Sequence, residues 1–216
     1  MRTSGFRTVL LCAVLCACKS EKKTPDQPPA GSGSAAVVPE KLVEVDAAAA
    51  KPPEPADASA KVQGAMPTIK KIAADPAVVK AVQAQNGKKM KLDDIKALDK
   101  EWSAARGVID KMKPYLESGC AKALAKYTAE MPALVESFAM DNQGAIVCAT
   151  SKTSDFWQGD EDKWQKSYAD GKGAEFIDKP KFDDSSQTYS VQVSVPVSDG
   201  KTVIGALTVG LAMDKL

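Results

Sequence analysis

Between residues 64 and 87 the apolar positions recur at helical spacing. They are Ile69, Ile72, Val79 and Val82. Asp75 followed by Pro76 is typical of a helix N-cap with a proline in the first turn. The pattern therefore predicts two short helices that meet at this dipeptide.

A longer repeat follows, in which apolar residues are separated alternately by three and four positions. It comprises Ile95, Leu98, Trp102, Ala105, Ile109, Met112 and Leu116. This spacing predicts one long helix, with Gly107 and Pro114 as points where it can bend. The helix either lies across the sheet of its own domain, which we favour, or pairs with its copy in a homodimer.

The pattern changes to strand-like alternation after a short predicted helix over residues 121–130. Residues 134–140 and 145–150 favour strands, and the intervening 141–144 are typical of a turn. These segments therefore predict a β-hairpin.

A second hairpin is predicted at the end of the chain. Residues 188–197 alternate strictly, 198–201 favour a turn, and 202–213 form an apolar strand. With a weaker strand over 174–177, the pattern gives five strands, mostly linked as hairpins and preceded by helices. We therefore predict an α+β domain with an antiparallel sheet.

The N-terminal segment has the pattern of an export signal. Arg2 and Arg7 precede an apolar run over residues 9–15, which is too short for a hydrocarbon core of about 30 Å. The following Leu-Cys-Ala-Cys sequence resembles the lipobox of bacterial lipoproteins. We expect residues 1–17 to be the signal peptide and Cys18 to be acylated, the alternatives being an ordinary secretory signal or an uncleaved anchor.

A lipidated Cys18 would hold the protein on a membrane of the cell envelope. Lys19 follows it in place of the aspartate that retains some lipoproteins at the inner membrane, which favours the outer membrane, facing the periplasm or the surface. Residues 18–62 are rich in Pro and Ala and lack aromatic residues, so we expect a disordered linker. The folded domain is then expected over 63–216.

Composition and charge exclude several classes of function. The 29 basic residues nearly balance the 28 acidic ones, so no charge surplus points to nucleic acid. Histidine is absent from the sequence, which removes the commonest general base and transition-metal ligand. We therefore expect no enzyme, no catalytic residue, no cofactor and no metal site.

Four segments together resemble the Cache (PDC) family of extracellular sensor domains, over about residues 66–216. They are residues 140–144, 150–161, 189–197 and 205–210. The resemblance implies a long N-terminal helix packed on a five-stranded PAS-like sheet. It also implies a small ligand between the sheet and the loops and short helix that join its second and third strands.

The resemblance places candidate ligand contacts in and after the Asp-aromatic-Trp segment. They are Asp155, Trp157, Asp160, Lys163, Trp164 and Tyr189. Either tryptophan could instead fill the core, and Asp160 could instead be a helix N-cap. Glu161 stands where the amino-acid-binding members have an arginine, so amino-acid specificity is not carried over.

Two cysteines remain once the signal region and Cys18 are set aside. Cys120 and Cys148 form an even pair, which in an oxidising compartment predicts either a disulfide or two separate buried thiols.

The leading hypothesis is a lipid-anchored extracytoplasmic module that binds a small metabolite. The chain ends at Leu216 without an output domain, so we expect it to relay or present the ligand to a partner. The alternative is a structural or adaptor lipoprotein that uses a degenerate sensor fold to bind an envelope protein or its own copy.

Overall fold

The fold is described by a computed structural model for residues 51, 53–55, 57–184 and 187–216. The expected signal peptide, Cys18 and most of the expected linker lie outside these residues. The α-helices of the described part are α1 (Ala58–Ala73), α2 (Pro76–Gly87), α3 (Leu92–Ala104), α4 (Lys113–Leu116), α5 (Gly119–Glu130) and α6 (Asp162–Tyr168).

The strands form one antiparallel sheet. They are β1 (Leu134–Met140), β2 (Ile146–Ala149), β3 (Phe176–Ile177), β4 (Lys181–Asp183), β5 (Thr188–Ser198) and β6 (Val203–Ala212). The strand order is β2-β1-β6-β5-β3, and β4 also pairs with β5. The predicted α+β class with its antiparallel sheet and two hairpins is confirmed, and the short strand β4 was not predicted.

Helices α1, α2 and α5 pack against one face of the sheet. Their apolar residues, among them Ile69, Val82 and Leu124, are fully buried with Val193 and Val209 of the central strands. The predicted capping at Asp75 is present, because its carboxylate accepts a 2.8 Å hydrogen bond from the amide of Ala77.

The other face of the sheet is covered by α3 along only part of its length. Trp102 of α3 lies with Phe138 and Phe156 in a second buried cluster. Its indole donates a 2.9 Å hydrogen bond to the carbonyl of Thr153. Asp99 of α3 accepts bonds of 2.7 and 3.0 Å from the amides of Phe156 and Trp157, so α3 also holds the loop after β2.

The prediction of a single long helix over residues 95–116 is wrong. Helix α3 ends at Ala104, and Ala105 has extended dihedral angles of φ −75° and ψ 125°. Ile109 is 36% exposed, whereas Met112 is fully buried, so the apolar repeat does not continue as one helical stripe. Consequently the continuous seam proposed for a helix pair in a homodimer does not exist.

The folded domain begins earlier than the expected residue 63. Helix α1 starts at Ala58, and Ala58 and Val62 are buried in the same cluster as Ile69. The three positions lie on one side of the helix, because their spacing is close to whole helical turns. Burial of this apolar face stabilises the helix, so the last residues of the expected linker are part of the folded domain.

A disulfide joins Cys120, at the start of α5, to Cys148 of β2. The two α-carbons are 5.9 Å apart, within the normal range for such a bond. Of the two alternatives that the sequence leaves open, the structure contains the disulfide.

Candidate functional site

A polar strip crosses the sheet on the face opposite α1, α2 and α5. In the strand register, Glu136 of β1 lies beside Gly210 of β6, which lies beside Gln192 of β5. The neighbouring row contains Thr208 and Ser194, whose buried hydroxyls are 2.8 Å apart. These rows mark where the apolar cluster under α3 ends and a polar surface begins.

A cavity of about 450 Å³ opens over this strip, between the sheet and α6. A volume in this range is typical of small-molecule sites. Its charged lining consists of Glu136, Glu161, Asp162, Lys163, Asp178 and Lys181. Ser190, Gln192 and Phe176 complete the wall.

Most of these charges are neutralised in pairs. Lys163 binds Glu161 at 2.7 Å, and the Lys163 side chain is only 14% exposed. Lys181 binds Asp178 at 2.7 Å. Asp162 pairs at 2.7 Å with Lys166, one turn along α6. Three of the four carboxylates in the cavity wall are therefore paired with a lysine, and the Lys163–Glu161 pair is the most shielded from solvent.

Glu136 is held differently from the other carboxylates. It accepts a 2.7 Å hydrogen bond from the side-chain amide of Gln192, and no lysine or arginine of the described part of the chain forms an ion pair with it. A methyl group at Gly210 would lie 2.6 Å from Cγ of Glu136. The glycine therefore gives the Glu136 side chain room to lie across β6.

The electrostatics of the site shift two carboxyl groups in opposite directions. Burial, followed by the negative charge of Glu161, raises the pKa of Asp155. Burial also acts to raise the pKa of Asp178, but hydrogen bonds from Lys181 and the Lys179 amide hold it below the usual value. Asp178 is therefore firmly ionised at neutral pH.

A second cavity, of about 430 Å³, adjoins the first and also has Glu136 and Ser190 in its lining. It extends toward the end of the chain, where Asp214 accepts a 2.9 Å hydrogen bond from the hydroxyl of Thr188. Glu136 and Ser190 thus lie between the two cavities and contribute to the walls of both.

The structure places both predicted tryptophans in supporting positions. Trp157 donates a 2.8 Å hydrogen bond from its indole to the carbonyl of Gln143, and Trp164 donates one of 2.9 Å to the carbonyl of Asp141. The Trp164 ring also stacks on Tyr168 at 5.1 Å. Both indoles thereby fasten neighbouring segments to the β1–β2 turn, and neither lines the cavity beside Glu136.

The other predicted contacts are scattered around the cavity. Lys163 lines it, and the half-buried Asp155 lies near enough to Lys163 and Glu161 for its pKa to respond to both. Asp160 is exposed and is not the N-cap considered for it, because α6 begins at Asp162 with Glu161 in the N-cap position.

Tyr189 lies on the opposite side of the sheet. It packs against the cluster under α1, and its ring meets that of Phe182 edge-on at 5.2 Å. Since side chains alternate along β5, the neighbouring Ser190 points into the cavity instead.

The sequence analysis missed the residues that form most of the cavity. They are Glu136, Asp178, Lys181, Ser190 and Gln192. The one available signal was the strict alternation of β5, which places Ser190 and Gln192 on the face opposite the valines.

Within residues 51–216 as described, no cluster of three or more Cys, Asp or Glu side chains is arranged to hold a metal ion. In the same part of the chain, no helix has the length and apolarity needed to cross a membrane.

No protein-family model matches the chain, and no curated protein matches it. Among solved structures it is similar to the sensor domain of the Vibrio cholerae histidine kinase DctB, with 13% identity and a TM-score of 0.38 over 73% of this chain and 50% of that one. It is also similar to the sensory domain of the Campylobacter jejuni chemoreceptor Tlp3, with 13% identity and a TM-score of 0.36 over 74% of this chain and 65% of that one.

A third similar structure is the ligand-binding domain of the Pseudomonas aeruginosa amino acid chemoreceptor PctC in complex with GABA. The identity is 9% and the TM-score 0.37, over 72% of this chain and 62% of that one. The chain thus spans between half and two thirds of the structures it matches. All three are sensor or ligand-binding domains, and similarity at this level transfers no ligand and no residue role to this chain.

Proposed function

We propose that this chain is an extracytoplasmic sensor-type module that binds a small molecule and passes its occupancy to a partner, with Cys18 as its lipid anchor. The observation that carries the proposal is the cavity of about 450 Å³ between the sheet and α6, whose lining includes the shielded Lys163–Glu161 pair and Glu136 bonded to Gln192.

Of the predicted ligand contacts, Lys163 lines the cavity and is paired with Glu161. The charge of Asp155 interacts with both residues of that pair. Trp157 and Trp164 attach α6 and the loop before it, which we call the cover of the cavity, to the β1–β2 turn.

The cavity differs from an incidental surface hollow because its polar groups are held in place. Lys163 is mostly shielded from solvent and paired with Glu161, and Glu136 is fixed by Gln192. Preorganised groups of this kind bind a ligand without first losing side-chain freedom, which lowers the cost of binding.

Native mass spectrometry of the full chain, purified in detergent from a secreting bacterial host, tests the binding function. We expect a bound small mass in the wild-type spectrum. The variant Ser190→Phe, which fills the cavity, should lose this mass. Ser103→Phe makes the same change at an exposed position on α3 and should keep it.

A bare wild-type protein that no metabolite stabilises in a thermal-shift screen would contradict the proposal. The adaptor hypothesis would then be favoured. It predicts that crosslinking recovers an envelope protein bound to this chain. The apolar seam proposed for such contacts is not continuous, because α3 ends at Ala104.

The anchor is tested separately from the cavity. In a bacterial host, the wild-type chain should fractionate with membranes and incorporate labelled palmitate. Cys18→Ser should abolish the label and release the protein, whereas Cys16→Ser should leave the label in place. Equal labelling of the wild type and Cys18→Ser would rule out Cys18 as the lipid site.

A further inference from the structure

The cavity wall has one carboxylate, that of Glu136, without a paired lysine among the described residues. Glu161, Asp162 and Asp178 each have a lysine at 2.7 Å. Within the part of the chain that the structure describes, the side-chain partner of Glu136 is the neutral amide of Gln192. One negative charge at the base of the cavity is therefore left without a positive counterpart among the described residues.

The position of Glu136 favours its use by a ligand. It lies on the central part of the sheet, over Gly210, and lines both adjoining cavities together with Ser190. A carboxylate acceptor beside a hydroxyl and an amide offers oxygen atoms to a group with several N–H donors. An ammonium group has three such donors and a positive charge.

An anionic ligand fits the same wall poorly. Lys163 and Lys181 are the cationic side chains of the cavity, and each already binds a carboxylate of the protein. A ligand carboxylate would have to displace Glu161 or Asp178 and approach the uncompensated Glu136. Like charges at short range oppose that arrangement.

From this charge balance we infer that the cavity binds a small organic cation, a primary amine in its protonated form, with Glu136 as the acceptor of its ammonium group. The inference rests on the proposed ligand-binding function and narrows it to one chemical class. Ser190 and Gln192 are the neighbouring polar groups, and the adjoining second cavity gives room for the rest of the ligand.

Isothermal titration of the full chain in detergent tests the inference with matched probes. These are n-alkylamines of two to six carbons, together with the alcohol and the carboxylate of each length. At pH 7 the amines are protonated, as lysine is. We expect at least one amine to bind roughly tenfold more tightly than its matched alcohol and carboxylate, because a hydrogen bond to a charged partner contributes at least that much.

Variants at Glu136 then locate the contact. Glu136→Gln keeps the size of the side chain and should weaken amine binding about tenfold, whereas Glu136→Asp keeps the charge and should weaken it less. Glu101→Gln makes the same change on α3, at a carboxylate outside both cavities that is paired with Lys111, and should change the affinity less than threefold. Unchanged thermal unfolding of each variant shows that the fold is retained.

Three results would overturn the inference. They are that no amine binds more tightly than both its matched alcohol and its matched carboxylate, that no amine binds at all, or that the wild type and Glu136→Gln bind the amine with equal affinity. The proposed function survives the first result, and it survives the others if native mass spectrometry detects a bound molecule. It fails as well only if the protein from the secreting host is bare and no metabolite stabilises it.

Discussion

The indole nitrogen of Trp164 donates a 2.9 Å hydrogen bond to the main-chain carbonyl of Asp141, which ties α6 to the turn between β1 and β2. Trp157 makes the equivalent bond to Gln143, two residues further along the same turn. The cover of the cavity is therefore attached to the first hairpin of the sheet. Its position depends on contacts between segments that are distant in sequence.

Replacing Trp164 by phenylalanine should loosen this attachment. The ring can still stack on Tyr168, but the carbonyl of Asp141 loses the indole donor and keeps the amide of Gly144 at 3.2 Å, so we expect a cost of about 1 kcal/mol. Urea denaturation of Trp164→Phe should show this loss. Tyr168→Phe keeps both rings and the indole bond, so it should unfold like the wild type, and a Trp164→Phe variant of unchanged stability would contradict the role of the bond.

Two glycines of β6 should respond differently to alanine. A methyl group at Gly210 meets the flexible side chain of Glu136, whereas one at Gly205 meets the backbone carbonyl of Met140. Gly205→Ala should therefore destabilise the fold by about 3 kcal/mol, the upper end for overpacking. Gly210→Ala should cost less than about 1 kcal/mol, because the Glu136 side chain can move aside.

Although Gly210→Ala should change stability little, it should weaken ligand binding strongly. Displacing Glu136 removes the carboxylate from Gln192, so Gly210→Ala should lose affinity for the cavity's ligand while remaining folded. Urea denaturation and titration of the same preparation measure both effects. Equal destabilisation by the two alanines would show that the Glu136 side chain is not free to move.

The disulfide should contribute strongly to stability. Cys120 and Cys148 are 28 positions apart. Closing a loop of that length lowers the entropy of the unfolded chain, which raises its free energy by about 3.5 kcal/mol at 25 °C. The double variant Cys120→Ala with Cys148→Ala should lose about 2–4 kcal/mol of unfolding free energy. Dithiothreitol should destabilise the wild type and leave the double variant unaffected, and a wild type insensitive to the reductant would contradict this contribution.

The hairpin carboxyl of Asp141 should give a pH dependence. Burial raises its pKa above 3.8, against hydrogen bonds from the amides of Gln143 and Ala145. Since the folded state holds this proton more tightly than the unfolded chain, the contribution of Asp141 to unfolding free energy falls as pH rises from 3.8 to the raised pKa. Above that pKa the contribution is constant.

The variant Asp141→Asn isolates this effect, because its Oδ1 can still accept from both amides at 2.8 and 2.9 Å. The stability of the wild type minus that of the variant should fall with rising pH in that window. Asp199 provides a control of opposite sign, since hydrogen bonds from the Thr202 and Lys201 amides lower its pKa. For Asp199→Asn the difference should rise with pH below 3.8, and a difference independent of pH at Asp141 would contradict the assignment.

Local pattern was sufficient for most of the elements. The Asp75-Pro76 boundary, the helix before Met131 and both hairpins could be predicted, because capping, turn residues and alternation act over a few positions. The break in the helix expected over 95–116 could not, because Trp102 and Met112 are buried in one cluster although residues 105–109 between them are not helical. Equal spacing in sequence does not require a single helix once the chain can fold back.

The cavity depended on pairings that the sequence does not encode locally. Glu136 and Gln192 are 56 positions apart and meet only because β6 lies between β1 and β5 with Gly210 in register. Trp157 and Trp164, which stand out in the sequence, have their indole donors bound to the β1–β2 turn. The two tryptophans therefore indicated the cover of the cavity. The base of the cavity contains Glu136 and Gln192, whose residue types are common in the sequence.

By itself, the sequence determined the α+β class, the hairpins and the two cysteines available for pairing, because these follow from periodicity, turn chemistry and residue counts. Tertiary structure decided that α3 stops at Ala104, that Cys120 bonds to Cys148, and that Tyr189 and Ser190 face opposite sides of the sheet. Among the described residues, it also left Glu136 without an ion-pair partner. Charge balance in a cavity depends on which strands are neighbours, and long-range packing sets that arrangement.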